Sequence, residues 1–61
     1  MDAETLETLE AMDTYGGSFV KSLAKCCRHA DPRNLSTLKT AFEGYFAQYG
    51  EMAYQDRENN K

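Results

Sequence analysis

The chain has no isoleucine, no tryptophan, a single valine, a single proline and a single histidine. Leucine, valine and phenylalanine together supply nine of its 61 residues. That is about 15%, below the ~20% at which order fails if net charge is also high. The net charge is only −3, so disorder is not forced. No run approaches the roughly 18 apolar residues of a membrane helix. A basic opening is also lacking, since the chain starts Met1-Asp2-Ala3-Glu4, whereas a secretory signal begins basic and then turns apolar. The expectation is a chain of the cytoplasm. The two cysteines, Cys26 and Cys27, are adjacent. On a helix they point about 100° apart, and a bridge between them strains the backbone. The disulfide staples of small secreted domains are therefore missing. A chain of this size buries only about 60% of the surface its unfolded form exposes. One helical domain over 1–61 fits; an enzyme with its own substrate cavity does not.

What is present is charge, and it is segregated. Residues 1–17 carry five acids and no base. Residues 18–40 carry Lys21, Lys25, Arg28, Arg33 and Lys39 against Asp31 alone. The remainder is mildly acidic. An acidic arm beside a basic middle points to pairing within or between chains, not to a general polyanion binder.

The periodicity is helical throughout, so the expected fold is all-α, with three helices at about 3–13, 18–30 and 32–49 and a tail over 51–61. Leu6, Leu9 and Met12 share one face of the first helix, with Asp2 placed to cap it. Gly16-Gly17 breaks the chain; one glycine suits a left-handed cap, and Ser18 suits the next N-cap. In the second helix Phe19, Val20, Leu23, a cysteine and Ala30 recur at three- and four-residue spacing. Lys21, Lys25 and Arg28 share the opposite face. Pro32 ends that helix and opens the third, capped by Asp31. Leu35, Leu38, Phe42, Tyr45 and Tyr49 form a heptad-like seam, with Phe46 beside it. The second and third helices are expected to form an antiparallel hairpin, Phe42 facing Leu23 or a neighbouring turn of the second, and Gly50 to end the third unless Met52 and Tyr54 extend it by a turn.

Candidate chemistry is sparse. Cys26, Cys27 and His29 offer three metal ligands where a structural zinc site takes four, usually in spaced pairs. Cys26 and His29 have the spacing of a nucleophile pair, but no oxyanion hole or cleft accompanies them. Gly16-Gly17-Ser18 opens a helix but lacks the glycines and set lysine of a phosphate loop. No cofactor and no metal are expected. The Lys21, Lys25, Arg28 face allows a helix-turn-helix regulator as an alternative. A pI near 4.9 argues against nucleic acid. Glu4, Glu7 and Glu10 stack as a carboxylate stripe, either a wetted face or a partner-binding surface. With a thin core and no staple or metal, a subunit interface is the remaining device, and a homodimer is its commonest closed form. Tyr45, Phe46 and Tyr49 are expected near that interface.

Gly16-Gly17-Ser18-Phe19-Val20, then Leu23-Ala24, Ala30-Asp31, Asn34, Leu38, Ala41-Phe42, Tyr45-Phe46 and Tyr49 resemble a pattern of small uncharacterised proteins of tailed bacteriophages and prophages. The resemblance covers about residues 15–49 and carries no catalytic residues. It implies a bacterial host cytoplasm. It also implies that the protein regulates or inhibits a host or phage protein by binding it during host takeover. A structural or assembly subunit is the third class the sequence allows.

Overall fold

A computed structural model describes residues 1–59, and among these it is entirely helical: α1 Ala3–Tyr15, α2 Ser18–His29, α3 Pro32–Ala41 and α4 Glu43–Asn59. The caps follow local chemistry. Thr5 donates its backbone N–H to Asp2 Oδ1 at 2.8 Å, and Asn34 donates to Asp31 Oδ1 at 2.7 Å. Each bond satisfies an otherwise orphaned helix N–H. Pro32 stands in the first turn of α3, where its missing N–H costs nothing.

The turn between α1 and α2 departs from expectation. No glycine has positive φ among the described residues. Gly16 and Gly17 are both extended, and Gly17, not Ser18, is the N-cap of α2, without a side-chain bond. Gly16 is required for space. A Cβ there would lie 2.5 Å from the Met12 carbonyl oxygen and 2.5 Å from Val20 Cγ1. The turn is tight because a hydrogen atom is all that fits between the two helices.

The face α1 buries is also displaced. Leu9 and Met12 are fully enclosed, but Leu6 is 43% exposed, and Thr5, Thr8 and Ala11 are buried instead. Threonine is tolerated there because its hydroxyl is satisfied. Thr8 Oγ1 donates to the Glu4 carbonyl at 3.0 Å, and Lys39 Nζ donates to Thr5 Oγ1 at 3.2 Å. The methyl groups are then free to pack.

The expected single third helix is two helices. It breaks at Phe42, whose φ of −117° and ψ of 36° are not helical. The Phe42 N–H still closes α3 on the Leu38 carbonyl, and the Phe42 carbonyl accepts from Tyr45 and Phe46 to start α4. Gly44, in the first turn of α4, weakens helix continuity at this joint. The break redirects α4 onto α1. Gly50 lies against Thr8, and Asp56 against Tyr15, so the two helices run in the same sense. Gly50 does not stop the helix, and the supposed tail is ordered as helix through Asn59. Its last turns are held by the Tyr15–Asp56 hydrogen bond at 2.6 Å and the Arg57–Glu7 ion pair at 3.3 Å. The end of that tail, residues 60–61, lies outside the described residues.

The core is Leu9, Ala11 and Met12 of α1, Val20, Leu23, Ala24 and Cys27 of α2, and Tyr49 of α4. α1 is its hub, packing most heavily on α4 and next on α2. The anticipated α2–α3 hairpin does not organise the packing, since those helices meet sparingly and α3 contains no fully buried residue. Phe42 is half-buried, and its ring meets Phe19 edge-to-face and Tyr45 at a tilt.

Candidate protein-binding surface

Three aromatic rings cluster where α2 begins and α4 begins. The Phe19 centroid is 6.0 Å from Phe42 and 5.8 Å from Tyr45, and Phe42 and Tyr45 are 6.2 Å apart. The Phe19–Phe42 pair is edge-to-face, an arrangement the ring quadrupoles favour. Phe19 crowns the cluster and is 56% exposed. A phenylalanine this open costs solvation that the free monomer does not recover.

Along the same flank of α2, Cys26, His29 and Ala30 face Asn34, Thr37 and Leu38 of α3 across a groove of about 520 Å³. The groove exists because α3 stands off from α2. Leu35 and Leu38 rest against the core without being enclosed by it.

The charged candidates divide. Arg28 bonds Asp13 at 2.6 Å and ties α2 to α1. It is a structural cation, partly screened by solvent. Lys21, Lys25 and Arg33 form no ion pair among the described residues. Of the acidic stripe, Glu7 is paired with Arg57, while Glu4 and Glu10 are exposed. The helix-terminal Asp2 is held below the usual carboxylate range by its hydrogen bond with Thr5.

The aromatic candidates divide as well. Tyr49 lies in the core at 7% exposure, so it belongs to no open patch. Tyr45 and Phe46 are half-buried. The seam put Tyr49 on the apolar face, and the packing of α4 on α1 covers that face within the chain.

Cys26 is exposed and Cys27 buried, both as free thiols. Burial pushes the Cys27 thiol above its ordinary value. The two sulfurs project to different faces, and no group of three metal-ligating side chains forms among the described residues. Among those residues no hydrogen bond joins Cys26 to His29 or orients the imidazole. An activated nucleophile needs both. No helix among the described residues is long and apolar enough to cross a membrane.

Sequence reasoning placed Phe19 with the core and did not foresee the groove. One signal was available. Leu35 and Leu38 are the only large apolar side chains in the ten residues of α3, too few to seal it. No family model, curated protein or solved structure matches the chain significantly.

Proposed function

We propose that this chain is a small phage-type helical protein that binds a host or phage protein stoichiometrically and modulates it, without catalysing a reaction. The observation that carries the reading is Phe19, 56% exposed above the half-buried rings of Phe42 and Tyr45. An exposed ring seated on two half-buried rings is a small apolar cluster of the kind that interaction surfaces present. Aromatic anchors carry much of the energy in such interfaces. The resemblance to phage proteins sets the expected context as a bacterial cytoplasm.

The test is a photo-activatable phenylalanine analogue at position 19 in the full chain, irradiated in bacterial lysate. The expected result is one dominant adduct of defined mass, competed away by unlabelled protein and absent when the analogue sits at exposed Glu10. Diffuse or non-competed labelling refutes the reading. Salt-sensitive retention on mixed-sequence DNA, with no protein adduct, favours the nucleic-acid alternative through Lys21, Lys25 and Arg33.

The proposal includes a homodimer, with half-buried Tyr45 and Phe46 near its interface. The thin core is its support, since domains this small usually add a staple, a metal or a subunit. Sedimentation equilibrium at micromolar concentration decides it: a single 6.9 kDa species that unfolds cooperatively removes the dimer. Higher-order assembly points instead to a structural subunit.

A further inference from the structure

We infer that the groove between α1 and α4 takes an arginine side chain from a partner protein, clasped between Glu4 and Glu51. The source of that side chain rests on the protein-binding reading, but the site shares no residue with the Phe19 cluster. The groove has a volume of about 610 Å³ and is lined along α4 from Phe46 to Arg57. At 1.5 Å per residue that wall is about 16 Å long. Small residues, Ala3, Ala47 and Gly50, leave the room between the helices.

One end of this groove already holds an arginine, the chain's own. The Arg57 guanidinium bonds Glu7 Oε1 at 3.3 Å and lies 5.8 Å from the centroid of the Tyr54 ring. A carboxylate and an aromatic face are partners that a planar guanidinium uses well. Each of them has an acid one turn earlier in its own helix, Glu4 before Glu7 on α1 and Glu51 before Tyr54 on α4. Thr8 is level with Gly50 and Tyr15 with Asp56, so the helices run in the same sense. Both earlier acids therefore fall toward the same end of the groove. Both line it, both are exposed, and neither forms an ion pair among the described residues. Glu51 accepts a neutral amide N–H from Gln55 at 2.9 Å, which leaves its charge uncompensated. Lys39 reaches α1 at Thr5, which does not line the groove. Charge complementarity calls for a cation between Glu4 and Glu51, and the Arg57 arrangement selects guanidinium over ammonium. Its methylene stem can lie along Ala47 and Gly50, as long basic side chains do on apolar surface. Two of this chain's three arginines are already paired, Arg28 with Asp13 and Arg57 with Glu7, so a second copy is a poor source.

The probes are three short capped peptides, alike except for a central arginine, lysine or citrulline, the last a neutral isostere of arginine. Each is titrated into the isotopically labelled full chain and followed by amide chemical shifts. The expected result is saturable binding of the arginine peptide, with the largest shifts at Ala47, Gly50 and Glu51. The lysine peptide should bind more weakly and the citrulline peptide not at all. The variant E4Q/E51Q, isosteric and altered only at exposed positions, should weaken the arginine peptide by at least about threefold, given up to roughly fivefold per exposed ion pair. Glu10→Gln removes an exposed acid outside the groove and should leave the affinity nearly unchanged. The inference is overturned by equal affinity for the arginine and citrulline peptides, by binding of none, by shifts outside α1 and α4, or by an unchanged affinity in E4Q/E51Q. Shifts of Ala47 and Gly50 on protein dilution alone would put a second copy in the groove and overturn it as well. If no peptide binds while the position-19 adduct still forms, the groove assignment fails and the protein-binding reading stands.

Discussion

Replacing Gly16 by alanine tests the α1–α2 junction. The added methyl would stand 2.5 Å from the Met12 carbonyl oxygen, 2.5 Å from Val20 Cγ1 and 2.7 Å from Val20 Cβ. A rotamer change at Val20 moves Cγ1 but not Cβ, and the Met12 oxygen belongs to the helix backbone. That oxygen also accepts the Gly16 N–H at 2.9 Å, so moving it strains the bond that closes α1. Overpacking of this kind costs about 1–3 kcal/mol, and a weakened hydrogen bond adds about 1 kcal/mol. Reduced freedom of the unfolded chain returns about 0.4–1 kcal/mol. A net loss near 2 kcal/mol is large for a 61-residue chain, whose total stability at ~0.05–0.15 kcal/mol per residue is about 3–9 kcal/mol. At about 4–8 °C per kcal/mol, the melting midpoint should fall by roughly 8–16 °C. Thermal unfolding followed by far-ultraviolet circular dichroism measures it. Gly17→Ala is the internal control, because nothing lies within 4 Å of a Cβ at that site. As Gly17 is the N-cap of α2, where alanine is poorer than glycine, the substitution should cost up to about 1 kcal/mol, less than the loss at position 16. Adding Val20→Ala to Gly16→Ala should recover part of the loss, a non-additivity expected of residues in contact. A Gly16→Ala midpoint within about 3 °C of the parent would refute the reasoning, since one kcal/mol already exceeds that shift. So would equal losses at positions 16 and 17.

Phe42→Ala removes a half-buried ring, so it should cost about 2 kcal/mol, roughly half the loss for a fully buried phenylalanine; denaturant titration should show a lowered midpoint with cooperative unfolding retained. Thiol labelling under native conditions should be biphasic, fast at exposed Cys26 and slow at Cys27, whose burial hides the sulfur and disfavours the thiolate; equal rates would place Cys27 outside the core. The Tyr15 phenol donates to Asp56 at 2.6 Å, and this bond raises its pKa above the ordinary 10.0. A group raised in the folded state contributes stability that is fully present below its unfolded pKa and is lost as pH rises through the folded value. Stability should therefore decline in the alkaline range, and Tyr15→Phe should flatten that part of a melting-midpoint profile; an unchanged profile would mean the bond does not persist in solution.

Some of this protein was legible residue by residue. Asp2 and Asp31 cap their helices because a carboxylate three residues before a free N–H reaches it without help from the rest of the fold. Pro32 opens α3 for an equally local reason, its missing N–H and preset φ. The all-helical character followed from periodicity, and so did Val20, Leu23 and Cys27 of the expected α2 face, whereas Phe19 of that face is exposed and Ala24, outside it, is buried. Tertiary structure decided what depends on contacts between distant segments. Leu6 yields the buried face to Thr5 and Thr8 because hydroxyls that find a carbonyl or a lysine cost little in an interface. Gly16 and Gly17 are the same residue type in similar backbone conformations, yet only the first meets another helix, which no local rule distinguishes. The seam from Leu35 to Tyr49 reads as one helix, and its periodicity is real. The chain breaks at Phe42 because α4 gains more by lying along α1, where Tyr49 is buried and Asp56 and Arg57 find partners. That break holds α3 off from α2 and opens the groove. Periodicity records which residues avoid water, but which helix covers them is settled only when all four compete for the same surface.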